Sequence, residues 1–409
     1  QTPAPQEGEE VLRARYFVAC DGGRSAVRAQ LGINMTGKSF PNPWIVVDIR
    51  QKDGEDCLRH LPYFSFICDP ECPTVSCRQP YGHHRFEFML MPGQTKEHME
   101  KPETVRAYLS KYVDVNKVEV LRSLVYTFNA LVAEKWRDGR VFLAGDAAHM
   151  TPQFVGQGMN AGVRDAYNLA WKLDAVLKSQ AGDRLLDSYQ SERRPHAKAM
   201  IDLSIHMKNF VSTANPLLSS LRNVATRTAR RTPGLREFLS EAKFKPRPRY
   251  EAGAYFGLPR QRRNGLEGEQ LPQPTLADRE CRPLLLDEAL GEGYALIGFA
   301  VDPRQSLSAA DLQQLTRLNT RYLTLYPAGG RPQGKAAAST PAGLSEWEDM
   351  SGECIRRFRE AGYAEGAVAI VRPDRLVFAM ARPGNAQAAV HSLLEQLGLQ
   401  AVTRQQEAS

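Results

Sequence analysis

Short runs of β-branched and aromatic residues, separated by turn signals, fill residues 39–130. Trp44–Ile49, Tyr63–Cys68, Thr74–Arg78, Arg85–Met91 and Val118–Asn129 predict strands. Asp53 with Gly54 and Tyr81 with Gly82 mark turns, and residues 96–112 predict a surface helix. The pattern implies an antiparallel sheet forming one wall of a pocket. On either side lie two short apolar strands, Tyr16–Cys20 and Val141–Ala144. The second leads to a long helix, with apolar residues at Met159, Val163, Ala166, Ala170, Leu173 and Leu177. Leu185–Pro195 caps and opens a further helix, in which Arg193 and Arg194 are read as structural or surface residues.

A third piece follows the Pro-rich stretch from Pro246 to Pro274. Strands are predicted at Tyr294–Phe299, Tyr322–Tyr326, Val368–Val371 and Leu376–Met380. Helices are predicted at Ala309–Arg317, Trp347–Glu360 and Ala386–Leu397. The chain thus divides into 1–38, 39–130, 131–245, a linker at 246–275, and 276–409. The class is α/β with an α+β insert.

Composition narrows the picture further. The 409 residues are 42% apolar and 24% charged, enough for two or three domains with sizeable cores. No apolar run approaches the ~20 residues of a membrane span and no signal-peptide pattern occurs, so a cytoplasmic protein with no membrane partner is expected. The seven Cys read as reduced thiols. Cys68, Cys72 and Cys77, with His83 and His84 behind them, have zinc-ligand chemistry but not zinc-site spacing, so no metal is expected. The net charge of +7 suits an anionic substrate or NADPH. The densest basic stretch, Arg222 to Arg249, has few interleaved aromatics, and no nucleic-acid partner is expected.

Chemistry concentrates at two turns. After Ala144 come Gly145, Asp146, Ala147, Ala148 and His149, then Pro152, then Gly156, Gln157, Gly158, Met159 and Asn160 at the start of the long helix. Small residues let the backbone approach a polar cofactor, Gly156 and Gly158 permit positive φ, and a helix N-terminus favours negative charge. Asp146, at the strand end, is placed to accept hydrogen bonds from sugar-like hydroxyls. The earlier turn holds Asp21, Gly22 and Arg24, with Ser25 as an N-cap and Arg28 close behind; its arginines suit phosphates. About 120 residues separate the two turns.

These turns resemble the DG and GD motifs of the class A FAD-dependent aromatic hydroxylases, in their phenol hydroxylase-like branch. The resemblance implies that Asp21, Gly22 and Arg24 lie near the FAD pyrophosphate. It implies that Asp146, within Gly145–His149, binds the ribityl chain, and that Pro152 and Gly156–Asn160 follow the isoalloxazine ring. The implied activity is a monooxygenase that uses FAD, NADPH or NADH as reductant, and O2 as co-substrate. It hydroxylates a phenol ortho to its hydroxyl. The strings Asn42–Asp48, Arg85–Met89 with Met91–Gly93, and His196–Ser204 are similar to members acting on a 3-hydroxyphenyl propionate or its cinnamate analogue. A small phenolic carboxylate is therefore the expected substrate, although members acting on resorcinols or polyketides share the scaffold.

On the sheet, Arg78 and Arg85 are candidates for the substrate carboxylate and Phe64 for its ring. No catalytic base is identified, and His149 is read as a structural residue of its turn before a catalytic one. The C-terminal piece resembles a thioredoxin-like domain without C-x-x-C, so packing or homodimer formation is its expected role. The family's GxGxxG loop does not precede Asp21. The expectation is a chain that lacks the N-terminal part of its FAD domain and holds FAD poorly. A non-catalytic remnant serving oligomerisation stays open beside the hydroxylase. A halogenase fits less well, because Trp44, Trp136, Trp171 and Trp347 are scattered.

Overall fold

The computed structural model describes residues 11–213, 215–241, 243–246, 248–257, 265–332 and 341–399. They form two compact units, 1–162 with 197–246, and 163–196 with 247–409.

In the first unit the strands are β1 (Phe17–Ala19), β2 (Met35–Ser39), β3 (Trp44–Gln51), β4 (Phe64–Ile67), β5 (Thr74–Arg78), β6 (His83–Met89), β7 (Val118–Tyr126), β8 (Asn129–Ala133), β9 (Arg137–Asp138), β10 (Val141–Leu143) and β11 (His149–Met150). Five of them make an antiparallel sheet in the order β4-β5-β6-β3-β7. Alternation along each strand gives this sheet two unlike faces. Ile45, Val47, Ile49, Phe86 and Phe88 point to one side, where Met99, Val105 and Leu109 cover them. Trp44, Val75 and Met89 point to the other, against Phe128 and Phe154.

The covering residues come from two helices, α2 (Lys96–Met99) and α3 (Pro102–Leu109), where the hydrophobic pattern predicts one. Pro102 lacks an N–H and opens α3, so the chain restarts there. The predicted strand Val118–Asn129 is likewise two. β7 ends at Tyr126, and β8 pairs with β2 and β11 in a separate sheet. The two outer turns meet through a third sheet, in which β1 runs parallel to β10. A short helix, α1 (Ala26–Gln30), follows the first turn, and α4 (Gly158–Leu177) follows the second.

The long helices α4 and α5 (Ser188–Val211) each contribute to both units, which divide after Gly162 and His196. The first unit is completed by α6 (Pro216–Arg231) and α7 (Pro233–Ser240). The second unit carries β12 (Thr275–Ala277), β13 (Pro283–Leu285), β14 (Ala295–Phe299), β15 (Arg321–Pro327), β16 (Leu344–Asp349), β17 (Val368–Val371) and β18 (Val377–Ala381) in one sheet. Its helices are α8 (Leu286–Leu290), α9 (Ala309–Arg317), α10 (Glu353–Glu360) and α11 (Ala386–Gln396). The order β15-β14-β17-β18, a parallel pair joined through α9 and flanked by an antiparallel hairpin, is the arrangement a thioredoxin resemblance implies. Trp347 lies in β16, not in the helix predicted from Trp347 to Glu360. Asp349 and left-handed Gly352 turn the chain before α10 begins. Tyr250, Tyr255, Leu266 and Leu271, from the Pro-rich stretch, are buried in this unit.

Candidate active site

A cavity of about 510 Å³ opens on the second face of the five-stranded sheet. Strand register decides what it contains. Cys77, Arg85, Asp48 and Arg122 stand side by side across β5, β6, β3 and β7. One step along, Phe66, Val75, Glu87, Val46 and Leu124 form the next row. Phe64, Phe66, Val75, Cys77, Arg85 and Glu87 line the cavity from the sheet. Phe64 and Phe66 meet edge to face, with centroids 4.8 Å apart. Arg78 has the opposite parity on β5, beside His84, and does not line the cavity; the substrate role proposed for it from the sequence fails on that geometry.

Arg85 is partly committed. Its Nε and Nη2 donate to Asp48 at 2.6 and 3.1 Å, and Arg122 reaches the same carboxylate at 3.0 Å. Burial would raise the Asp48 carboxyl, but Arg85 and Arg122 hold it below its ordinary value. Within this row two guanidinium groups against one carboxylate leave one positive charge over, at the edge of a cavity also lined by Gln79, Glu87, Gln153 and Lys245.

Glu87 is the group that sequence reasoning missed. Flanked by Phe86 and Phe88 on a strand, it reads as a solvent-facing residue, yet only 6% of it is exposed. Burial pushes its carboxyl up to about 7, against the pull of Arg85. Gln153 donates to Oε2 of Glu87. The available signal is parity, since Glu87 and Arg85 share a face of β6 and the sequence points Arg85 toward the pocket.

Gln153, Phe154, Val155 and Gly156 close the cavity from above. They belong to the loop after the second turn, and Gly156 adopts φ +59° as its sequence position suggested. The loop is pinned from two sides. Ser204 Oγ donates to the Pro152 carbonyl at 2.5 Å, and Phe154 packs edge-on against Trp44 at 5.2 Å. Met207, Leu239, Phe244 and Lys245 complete the lining.

At the second turn Gly145 takes φ +59°, a left-handed conformation that favours glycine, and a Cβ added to Gly162 would make ordinary contact with its Cα at 3.5 Å. Asp146 is exposed beside them, as are Met159 and Asn160 at the head of α4, while Gln157 and Gly158 are half-buried. Thr151 Oγ1 is buried with no hydrogen-bond partner among the described residues. Ala147 and Ala148 are buried. His149 is buried as well and stacks on Trp136 at 5.1 Å, so its side chain faces the interior.

At the first turn Gly22 takes φ +82°, and Arg24 is exposed. The Asp21 carboxylate accepts from Val27 N at 3.2 Å, and Ser25 holds its pKa down. Arg28 ties the two turns together. Its guanidinium donates to Ala147 O at 2.9 Å and to Gly23 O at 2.8 Å.

Residues 3–204 match the FAD binding domain family, and residues 268–396 match the HcaD C-terminal domain. Over 398 residues, 97% of the chain, it is 38% identical to the 3-(3-hydroxy-phenyl)propionate/3-hydroxycinnamic acid hydroxylase of Klebsiella pneumoniae (strain 342), of which it covers 69%. The chain belongs to the FAD-dependent aromatic hydroxylases.

The Escherichia coli (strain K12) protein of the same name is 39% identical to this hydroxylase over 379 residues, 92% of this chain and 66% of that one. The chain therefore spans about two thirds of the length of these relatives. Its fold is that of aklavinone-11 hydroxylase solved with FAD and aklavinone, with a TM-score of 0.67, 22% identity, and coverage of 94% of this chain and 68% of that one. The flavin-dependent monooxygenase PieE, solved with FAD and substrate, gives a TM-score of 0.70 at 22% identity, over 94% of this chain and 70% of that one. No described helix of the hydroxylase is long and apolar enough to cross a membrane. Its cofactor is FAD, and members of this class draw on NAD(P)H and O2.

Proposed function

We propose that this chain carries the substrate chamber and flavin-edge loop of a hydroxylase for 3-(3-hydroxyphenyl)propionate or 3-hydroxycinnamate, adding oxygen ortho to the phenol. The observation that carries the reading is one cavity whose roof is the loop of the GD motif and whose floor pairs aromatic walls with Arg85. The names of the relatives point to the same substrate class.

The residues present suit FAD. Asp146 is free to accept from ribityl hydroxyls, and the glycines at 145 and 162 leave the backbone open to close approach. Pro152 and Gly156–Asn160 would hold the isoalloxazine ring, and the head of α4 would favour negative charge on it. Gly22 and Arg24 would face the phosphates, while the Asp21 carboxylate accepts from Val27 N of α1. Bound FAD, once reduced, supplies activated oxygen from O2.

The chain itself holds the substrate. The carboxylate sits at Arg85, where the Asp48–Arg122 row leaves one charge unneutralised. Phe64 and Phe66 flank the ring. The loop from Gln153 to Gly156 excludes water from the face where oxygen arrives. The test supplies FAD, NADPH or NADH, O2 and each candidate phenol, and follows the catechol product chromatographically. Formation of the 2,3-dihydroxy product from the propionate supports the reading. FAD binding with product formed only from larger polycyclic phenols overturns the substrate assignment.

A further inference from the structure

We propose that Glu87 accepts the proton of the substrate's phenolic hydroxyl and that Gln153 positions it for this. The inference rests on the reading that a phenol occupies the cavity.

Glu87 is placed where a carboxylate serves the fold badly. In its row across the sheet the neighbours are Val75 on one side and Val46 on the other. Among the described residues it makes no ion pair, because Arg85, two positions along β6, is engaged by Asp48. Its one hydrogen bond among the described residues is the donation from Gln153 to Oε2, which leaves Oε1 available to a molecule in the cavity that Glu87 lines. A buried carboxylate with so few partners costs stability that an apolar residue would not. Its neighbour in the bond is informative: Gln153 stands in the loop that joins the flavin-edge motif to the cavity.

Arg85 and Glu87 share one face of β6, about 6.7 Å apart along the strand. A molecule with a carboxylate at one end and a phenol at the other, lying along β6, brings the first to Arg85 and the second to Glu87. In the step assigned to Glu87, the phenolic O–H bond breaks and the proton passes to Oε1. The oxygen's electron pair moves into the ring and makes the ortho carbon a better nucleophile. After that carbon has gained oxygen it loses its hydrogen to water as a proton, and Glu87 returns its own proton to the phenolate oxygen. Glu87 ends as it began.

The charged and titratable groups facing Glu87 are Arg85 on its own strand, Asp48 on β3, Cys77 on β5 and Lys245 beyond α7. Burial, with a smaller push from Asp48, raises the carboxyl to about 7 in spite of Arg85. A base titrating there is matched to neutral operation. Below that pH it is protonated and cannot accept.

The test uses the full chain with FAD, NADPH and 3-(3-hydroxyphenyl)propionate. Hydroxylation by the wild type rises with pH through a limb near 7, where Glu87 titrates. Glu87→Gln is isosteric, keeps the Gln153 contact and removes a disfavoured buried charge, so the protein melts no lower than wild type at about pH 8. At that pH it loses at least about 100-fold in kcat, with KM changed less than about threefold, and the limb disappears. Glu87→Asp restores part of the rate and the limb.

A second readout needs neither FAD nor turnover. An ortho-nitro derivative of the substrate changes colour when its phenol ionises. Bound beside the Glu87 carboxylate its ionisation is opposed, so Glu87→Gln moves the bound probe's midpoint down by about one pH unit or more. A variant that keeps the limb and its kcat, or leaves the probe's midpoint unmoved, overturns the role of Glu87 while the substrate reading stands. Failure of both proteins to bind the propionate or the probe saturably overturns both.

Discussion

Glu192 is the residue whose loss should damage the second unit most. Its carboxylate is fully buried and receives five donors: Arg372 Nη1 and Nη2 at 2.8 and 2.9 Å, Lys172 Nζ at 2.8 Å, Asn168 Nδ2 at 2.7 Å and the Ala254 N–H at 3.0 Å. Asp374 balances the second cation, bonding Arg372 at 2.6 and 3.0 Å. Lys172 and Arg372 against Glu192 and Asp374 sum to zero charge in a site closed to water. Glu192→Gln leaves one buried positive charge uncompensated, which costs about 3–5 kcal/mol. For a unit of roughly 200 residues that lowers the melting temperature on the order of 10 °C.

Lys172→Met should cost less. Burial already disfavours its ammonium, whose pKa falls to about 8, and Glu192 keeps both bonds from Arg372. The site is then one negative charge over, and the loss expected stays below the roughly 3–5 kcal/mol of Glu192→Gln. The double variant restores neutrality and should melt above Glu192→Gln alone. The assay is thermal unfolding followed by circular dichroism at about pH 7. The sign with pH is fixed as well. Burial raises the Glu192 carboxyl, but Arg372 and Lys172 outweigh it and hold it far below its ordinary value. Its contribution is therefore complete above the unfolded value of about 4.3 and is lost as the solution is acidified below that. A Glu192→Gln protein that melts with the wild type, or a double variant no better than the single, would refute this charge accounting.

Three further outcomes are expected. Arg85→Met leaves Asp48 paired with Arg122 and removes the proposed carboxylate anchor, so KM for the propionate rises about 10- to 100-fold with little change in kcat, measured by initial rates. Asp146→Ala removes an exposed side chain and leaves the melting temperature alone, while the FAD dissociation constant rises about tenfold in a fluorescence titration; an unchanged constant argues against the ribityl assignment. Arg28→Met deletes the two bonds to Ala147 O and Gly23 O, costs about 2–4 kcal/mol in chemical denaturation, and weakens FAD in proportion.

Element by element, the hydrophobic pattern is legible where packing and propensity agree. Thr74–Arg78 and Ala309–Arg317 begin and end where their residues predict, the helix because Ser308 and Asp311 form a reciprocal cap. It misleads where a local signal is overridden. Trp347 sits between Glu346 and Glu348 in a stretch that suits a helix, yet a parallel partner, β15, draws it into the sheet, and Tyr326 Oη contacts Glu346. The glycines and Asp146 of the candidate site are readable because special backbone geometry admits few residue types. Glu87 is not, because nothing local distinguishes a carboxylate facing water from one facing a cavity. That difference is created by Gln153, which arrives from a loop 66 positions away.

Arg28 and Ala147 are 119 positions apart, and their hydrogen bond closes the chain between them into a loop anchored at the cofactor turns. The whole five-stranded sheet hangs from that anchor. Its residues are thus free to diverge, or to be exchanged as a block, while the two turns keep their register. This makes the clasp a natural graft point for redesign: a foreign sheet with compatible ends inherits an aligned cofactor cradle and brings its own choice of aromatic ring.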